Sequence, residues 1–255
     1  MAITAISAAS RTDRGRRRSE NEDAVLCITA EGDAAGVFAI ADGMGGQNAG
    51  EVASAIAIAT LRDDLGPLLV DSADGPDAND LPLTAHLHAA IVRCNERILL
   101  HAQEHPETRG LGATMTVVVL KGSLAIIGNV GDSRTYRIRQ GAIESLTHDH
   151  SLVAQLAAMG QIEPDEIYTH PQRNFVLRAL GAEEEVNPDI FTERLQSGDT
   201  LLLCSDGLWG MVRDDGIYET LSKAPSVEEA AMRLIDLANQ AGGDDNISVV
   251  IVAAS

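Results

Sequence analysis

Short apolar runs, many of them rich in β-branched residues, recur along the chain and predict strands. They have the usual length of strands and are too short for buried helices. The predicted strands are Ile3–Ala9, Ala24–Thr29, Gly36–Ala41, Thr114–Leu120, Leu124–Val130, Arg134–Arg139, Thr200–Cys204 and Ile247–Ala253. Tight turns at Lys121-Gly122 and Gln140-Gly141 indicate antiparallel hairpins.

Longer segments with helical spacing of apolar residues predict helices. They cover Ala49–Leu65, Thr84–Glu104 and a segment from Ser226 to about Gln240. The last begins with a capping box, Ser226-Val227-Glu228-Glu229, whose side chains can satisfy free backbone N–H groups. Asp63–Pro82 is rich in Asp, Gly and Pro and predicts an acidic surface loop. Strands outnumber helices, which favours an α+β domain with helices packed on antiparallel sheets.

The chain carries a large excess of acidic side chains. Its 255 residues include 38 Asp and Glu against 19 Lys and Arg, a formal charge of −19, and 45% of them are apolar. This composition is that of a globular protein. The charge repels phosphate backbones and anionic membrane surfaces, and no apolar run approaches the ~20 residues that span a bilayer. We therefore expect neither a nucleic-acid partner nor a membrane partner.

The three cysteines, Cys27, Cys94 and Cys204, lie far apart in apolar segments. They form no metal-binding or redox pair and are expected to be buried thiols in a reducing cytoplasm. The N-terminal segment is rich in Ala, Ser and Arg, as organelle transit peptides are. The alternation within Ile3–Ala9 and the acidic cluster after it favour a folded segment instead. The expected location is the cytoplasm.

Acidic residues stand next to glycine where the apolar strands end. Asp42-Gly43, Gly131-Asp132 and Asp206-Gly207 follow predicted strands, and Asp244-Asp245 precedes the last one. Each pair alone also fits an ordinary turn. Together they predict converging carboxylates, which would raise one another's pKa unless cations neutralise them. Oxygen ligands without paired His or Cys favour Mg²⁺ or Mn²⁺ over zinc.

An arginine and several acids occur together in Arg18-Ser19-Glu20-Asn21-Glu22-Asp23. Beside an acidic metal site, a guanidinium can bind two oxygens of a phosphate. A surface loop with a chance ion pair is the alternative for this segment taken alone. Local positive charge from Arg11, Arg14, Arg16 and Arg17 either steers phosphorylated substrates toward Arg18 or belongs to a solvated loop.

Seven short motifs occur in order between residues 18 and 248. They are Arg18…Glu22-Asp23, Asp42-Gly43-Met44-Gly45-Gly46, Gly112-Ala113-Thr114, Gly128–Arg134, Leu146–Ser151, Ser205-Asp206-Gly207 and Gly243–Asn246. In this order they resemble the metal-dependent protein serine/threonine phosphatases, the type 2C or PPM family, in its bacterial form. Each motif alone is a weak match, whereas the ordered set covers nearly the whole chain.

The resemblance implies one phosphatase catalytic domain over residues 1–255. Its fold class would be α+β, a central β-sandwich of two antiparallel sheets flanked by helix pairs, with the metals at one end between the sheets. Residues 151–181 lie where bacterial members have a mobile flap over the site. We expect the flap to influence substrate choice, so that deleting Pro164–Tyr168 should change the relative rates on different phosphopeptides.

The resemblance also assigns roles to individual residues. Asp42 would bridge two Mn²⁺ or Mg²⁺ ions; Glu22 and the carbonyl of Gly43 would hold one of them, and Asp206 and Asp245 the other. Asp23 would support the waters of these ions, and Asp132, with help from Asp206, would serve a weaker third ion. Arg18 would bind the substrate phosphate, so Arg18 and Asp42 are the expected catalytic residues. A hydroxide shared by the two ions would attack phosphorus directly.

Met44 departs from the pattern of animal members, which have a histidine at this position that is thought to protonate the leaving oxygen. A thioether cannot donate a proton, and many bacterial members share the methionine. The general acid therefore stays open: His148, His150 or water at the metals could serve. Alternatively, both histidines only shape their loop.

The implied function is hydrolysis of phosphoserine and phosphothreonine on proteins. The expected partners are phosphorylated proteins and a cognate bacterial Ser/Thr kinase, and the expected state is a monomer. A non-catalytic pseudophosphatase that only binds phosphoproteins is the chief rival, although Asp42, Asp206 and Asp245 are all present. A regulatory phosphatase for a single anti-sigma-type partner is a further option. Aspartyl-phosphate hydrolases are excluded because the chain lacks their Asp-x-Asp motif after the first strand.

Overall fold

The computed structural model describes residues 3–30, 34–46, 49–69 and 80–255. Most strands coincide with the apolar runs of the sequence, because β-branched side chains pack well on a pleated surface. The strands are β1 (Ile6–Asp13), β2 (Asp23–Thr29), β3 (Ala35–Met44), β4 (Gly112–Ala113), β5 (Met115–Lys121), β6 (Leu124–Val130), β7 (Arg134–Arg139), β8 (Ala142–Ser145), β9 (Asp189–Arg194), β10 (Thr200–Cys204) and β11 (Ile247–Ala254).

The helices pack on the outside of the strands. They are α1 (Ala49–Leu65), α2 (Asp80–Glu104), α3 (Leu152–Ala158), α4 (Asp206–Trp209), α5 (Asp214–Lys223) and α6 (Val227–Gln240), with short 3₁₀ turns at Gly66–Leu69, Pro106–Thr108 and Pro164–Tyr168. Helix α6 begins as predicted, because the Ser226 hydroxyl accepts a hydrogen bond from the Glu229 N–H at 3.3 Å. Across the described part of the chain, no helix is both long enough and apolar enough to cross a membrane.

The strands form two antiparallel sheets. The first has the order β1-β11-β10-β7-β8, and the second the order β2-β3-β5-β6-β9, with β4 paired to β3. Successive side chains of a strand point to opposite faces. Leu201 and Leu203 of β10 therefore meet Phe38 of the other sheet between the two sheets. Leu202 and Cys204 of the same strand face α4, α5 and α6 instead.

A third apolar cluster lies on the outer face of the second sheet. There, buried side chains of β3 and β5 pack against α1 and α2. The molecule is thus a β-sandwich with helices on both outer faces, and the predicted fold class is confirmed.

Several boundaries differ from the prediction. Strand β1 lies further along the chain than Ile3–Ala9, because Ile6 to Asp13 pairs with the whole of β11. Strands β8 and β9 were missed because each lies at the edge of its sheet and mixes polar with apolar residues. The predicted acidic loop is shorter than expected: residues 63–65 end α1, residues 80–82 begin α2, and residues 70–79 lie outside the described residues.

Candidate metal centre and phosphate site

The ends of the central strands bring the predicted acids together at one end of the sandwich. Antiparallel pairing of β2 with β3 places Asp23 directly opposite Asp42. Asp132 follows β6, Asp206 follows β10, and Asp245 precedes β11. A cleft of about 370 Å³ at this end is lined, among others, by Arg18, Glu22, Asp42, Gly43, Asp132, Asp206 and Asp245. Apart from Asp23, which is only 8% exposed, every predicted site residue therefore lines one cleft.

The carboxylates at the floor of the cleft strongly perturb one another. Asp42 lies opposite Asp23 across the β2–β3 pair and lines the same cleft as Asp206. The enclosing protein, and then the neighbouring carboxylates, raise the pKa of Asp42 well above its ordinary value. The pKa of Asp206 is raised in the same way, first by burial and then by Asp132 and Asp245. Like charges at this spacing require protons or cations between them.

Two further acids of the cluster are also shifted. Burial, followed by the Asp149 carboxylate, raises the pKa of Asp132 to about 7. Burial raises the pKa of Asp23 to about 6, although the Ser205 hydroxyl donates a hydrogen bond to its Oδ2 at 2.9 Å. The site therefore concentrates negative charge that water cannot fully solvate.

The donor atoms fit a hard divalent cation. Asp206 Oδ1 and Asp23 Oδ1 are buried and have no hydrogen-bond partner within the described chain. Buried polar atoms are rarely left without a partner, so these oxygens indicate places where a cation or its waters would bind. Within the described ranges, no three His, Cys, Asp or Glu side chains are already arranged to hold an ion. The carboxylates therefore converge on the site but must turn to complete a coordination shell.

Close backbone packing explains the glycine beside Asp42. A Cβ atom on Gly43 would lie 2.1 Å from the Gly50 carbonyl oxygen and 2.5 Å from that of Glu22. A Cβ atom on Gly50, in the first turn of α1, would lie 2.7 Å from Glu22 Oε1. Only glycine fits at either position, and the two glycines let the Glu22 carboxylate pack against the start of α1. Gly50 had no predicted role.

Arg18 reaches into the same cleft. Its Nη2 donates a hydrogen bond to Asp245 Oδ2 at 2.6 Å, and its side chain is 47% exposed. The adjacent Arg17 forms an ion pair with Asp244, with 2.9 Å between Nε and Oδ1. The predicted phosphate ligand is thus paired with a predicted metal ligand. Its guanidinium keeps exposed N–H groups at the cleft mouth, where a phosphate could bind.

Comparison with known proteins identifies the family. The family model described as protein phosphatase 2C matches residues 12–247 of the chain. The chain belongs to this family. It is 40% identical over 243 residues to the serine/threonine protein phosphatase PstP of Mycobacterium tuberculosis, with 95% of this chain covered, and it spans 44% of that relative's length. It is 38% identical over 245 residues to the serine/threonine phosphatase stp of Listeria monocytogenes, with 95% and 93% covered.

A solved structure connects the family to its metal. The catalytic domain of a PstP protein, in complex with two manganese ions, is 36% identical to this phosphatase with a TM-score of 0.84, covering 100% of this chain and 99% of that one. The predicted family and enzyme class are confirmed by these relatives. Manganese as a cofactor of the family is likewise confirmed.

Neither histidine considered as a general acid lines the metal cleft of this phosphatase. His150 is buried, and its Nδ1 accepts a hydrogen bond from the Gly131 N–H at 3.1 Å. Its Nε2 lies 3.1 Å from Asp189 Oδ2. Both ring nitrogens are therefore engaged, and His150 holds the loop that carries Asp132. His148 is exposed on the loop between β8 and α3, which also carries His150. This placement favours the alternative in which the two histidines shape the loop.

Asn246 is a site residue whose role the sequence did not reveal. Its Nδ2 donates hydrogen bonds to the carbonyls of Arg14 at 2.9 Å and Glu20 at 2.8 Å. Its Oδ1 accepts a hydrogen bond from the Glu22 N–H at 2.9 Å. One buried amide thus fixes the segment that carries Arg18 and Glu22. Asn246 is the final residue of the last of the seven motifs, and its presence in that motif was the only indication of a role.

Proposed function

We propose that this phosphatase hydrolyses phosphoserine and phosphothreonine in proteins, with two Mn²⁺ or Mg²⁺ ions held by its acidic cleft, and that it opposes a bacterial Ser/Thr kinase. The supporting observation is the convergence of Asp42, Asp132, Asp206 and Asp245 with Arg18 on one cleft. A neutral or purely structural cluster would not gather this many acids with raised pKa values.

Each residue has a distinct task in this proposal. Asp42 would be a ligand to both ions, Glu22 and the Gly43 carbonyl would hold one of them, and Asp206 and Asp245 would hold the other. When bound, the ions would acidify a shared water for attack on phosphorus and neutralise charge on the phosphate oxygens. Asp23, which lies opposite Asp42 across the β2–β3 pair, would support the waters of these ions. Arg18 would bind and orient the phosphate, and Asp132 would serve a third, weaker cation.

The leaving oxygen still needs a proton. Met44 lines the cleft but has no proton to donate. His150 is occupied on both nitrogens by Gly131 and Asp189. We therefore assign this proton to water in the cleft, which makes the rate depend more on the leaving group than a side-chain acid would.

The proposal also covers the domain organisation, the oligomeric state, the location and the partners of the enzyme. Residues 151–181 would act as a flap on a single catalytic domain, which would work as a monomer. A cytoplasmic location is supported by Cys27, Cys94 and Cys204, which are all free thiols and are buried or half-buried. Phosphorylated proteins and a cognate kinase are the proposed partners.

A metal-dependent assay tests the proposed activity. Purified protein should hydrolyse p-nitrophenyl phosphate and a phosphothreonine peptide with Mn²⁺, and EDTA should abolish both reactions. Asp42→Asn should lose at least ~100-fold in kcat, because the bridging charge is removed while the side-chain size is kept. Asp63→Asn, at an exposed position near the end of α1 and outside the cleft, is the matched control. Wild-type turnover no faster than that of Asp42→Asn would support the rival, a phosphoprotein-binding pseudophosphatase.

A further inference from the structure

The only tryptophan of the chain lies where the flap meets the metal centre. Trp209 ends α4, three positions after Asp206, and is 4% exposed. Its indole N–H donates a hydrogen bond to the main-chain carbonyl of Asp132 at 2.9 Å. The carbonyl of the proposed third-ion ligand is therefore held by a side chain from a neighbouring element.

A buried ion pair fixes one face of this indole. The Arg134 guanidinium carbon lies 3.8 Å from the centre of the Trp209 ring. Arg134 in turn makes two hydrogen bonds to Asp149, at 2.9 and 2.7 Å, and one to the Tyr136 hydroxyl at 2.8 Å. A guanidinium held on both sides leaves the indole little freedom to rotate.

The flap contacts the same indole. Tyr168, at the end of the Pro164–Tyr168 turn, packs edge-to-face on Trp209 with 6.1 Å between ring centres and 67° between ring planes. The Arg213 guanidinium carbon lies 3.2 Å from the centre of the Tyr168 ring. Tyr168 is thus clamped between α4 and the start of α5, whereas Met159 and Phe175 of the flap are exposed.

The docked flap also builds a wall of the substrate cleft. Tyr168, Asn174 and Trp209 line a second cleft of about 240 Å³, which shares Arg18, Asp206 and Asp245 with the metal cleft. A peptide whose phosphate lies on Arg18 would therefore pass beside this wall. Loss of the Tyr168 contact would open the wall without removing a metal ligand.

We propose that Trp209 is a positioning residue that couples docking of the flap, through Tyr168, to the placement of the Asp132 main chain. The inference rests on the proposed function. Because Trp209 contacts both elements, an ordered Asp132 favours a docked flap, and a docked flap favours the cation site of Asp132. The flap would then affect extended phosphopeptides, while small phosphate esters, which do not reach the wall, would be insensitive to it.

Fluorescence of the single tryptophan tests the docking contact without turnover. In EDTA, Tyr168→Ala should raise acrylamide quenching of Trp209 about twofold or more, because the covering ring is removed. Tyr168→Phe is the matched control: it keeps the ring, and no hydrogen bond of the Tyr168 hydroxyl occurs in the described structure. Tyr168→Leu serves as a second variant should the alanine variant fail to fold. Quenching equal to wild type in Tyr168→Ala or, failing that, Tyr168→Leu would overturn the inference.

Metal binding and kinetics test the coupling. Trp209→Phe keeps an aromatic face but loses the N–H donor, so isothermal titration should show the weakest Mn²⁺ site weakened about threefold to tenfold. Tyr168→Ala should weaken the same site and raise KM for a phosphothreonine peptide about threefold or more, with KM for p-nitrophenyl phosphate within about twofold of wild type. A merely structural role would lower thermal stability and leave the Mn²⁺ isotherm and the KM contrast unchanged, and that result would overturn the coupling. Wild-type protein inactive on both substrates would refute the proposed function alone, because quenching and titration still report on Trp209.

Discussion

Asp132 combines deep burial with a crowded negative environment. It is 2% exposed, and burial followed by the Asp149 carboxylate raises its pKa from the ordinary 3.8 to about 7. Between pH 3.8 and about pH 7, Asp132 keeps its proton in the folded chain, whereas it has released that proton in the unfolded chain. The contribution of the Asp132 carboxyl to the unfolding free energy is therefore fully present below about pH 4 and is lost as the pH rises through about 7.

The substitution Asp132→Asn removes the charge at nearly constant size. The difference between 3.8 and about 7 corresponds to about 4 kcal/mol of unfolding free energy. In EDTA, the variant should therefore match wild type near pH 4 and exceed its stability by up to about 4 kcal/mol near pH 8. Saturating Mg²⁺ should reduce this advantage, because the cation neutralises the wild-type carboxylate.

Urea unfolding at a series of pH values measures this difference. Asp199→Asn is the control of opposite sign, since Asp199 accepts two hydrogen bonds from Arg139, at 2.8 and 2.6 Å. Although its own burial acts the other way, Arg139 keeps the pKa of Asp199 below its ordinary value. Asp199→Asn should therefore destabilise the protein at neutral pH, and less so in acid. Parallel stability curves for Asp132→Asn and wild type would refute the account of the acidic cluster.

Two further outcomes follow from the geometry. Gly43→Ala should lower the unfolding free energy by about 2–4 kcal/mol and raise the Mn²⁺ concentration needed for activity, because its Cβ would lie 2.1 Å from the Gly50 carbonyl oxygen. Gly46→Ala is the control, because a Cβ atom at Gly46 meets nothing within 4 Å. Equal urea midpoints for the two variants would contradict the packing argument. Arg17→Gln should lower kcat/KM for a phosphopeptide about twofold at low salt and hardly at all near ~0.5 M salt, as measured by initial rates. Arg17 is 72% exposed at the cleft mouth, and salt screens exposed charges. A loss of kcat/KM that does not depend on salt would argue against electrostatic steering by Arg17.

Local patterns in the sequence predicted the buried strands whose ends carry the acids of the metal centre. An apolar run such as Leu201–Cys204 forms a strand buried on both faces, and the Asp-Gly pair after it then lies at the end of the sheet. Polar edge strands such as Ala142–Ser145 carry no such pattern, because their side chains are mostly exposed and neither face of the strand is buried. The positions of the acids were therefore easier to predict than the outline of the sheets.

Contacts between distant side chains were not predictable from the sequence. The amide of Asn246 binds carbonyls more than 220 positions away, and the indole of Trp209 binds the Asp132 carbonyl 77 positions away. Neither contact follows from periodicity or turn chemistry, since each depends on how strands from different parts of the chain meet. Asp149 was likewise noted only as part of a motif, yet it forms a buried ion pair with Arg134, whose guanidinium lies over the Trp209 ring.

The contact between Arg18 and Asp245 links phosphate binding to cation binding in the proposed mechanism. Their side chains are 2.6 Å apart, so Asp245 cannot bind a cation fully while it neutralises the guanidinium. A cation at Asp245 would weaken this pair and leave Arg18 free for a phosphate, and a phosphate on Arg18 would leave Asp245 free for a cation. By linkage, each ligand then raises the affinity of the other. The cleft would therefore bind phosphate strongly only when its acids are neutralised. Arg18 would then not trap phosphate groups while the cleft is free of metal.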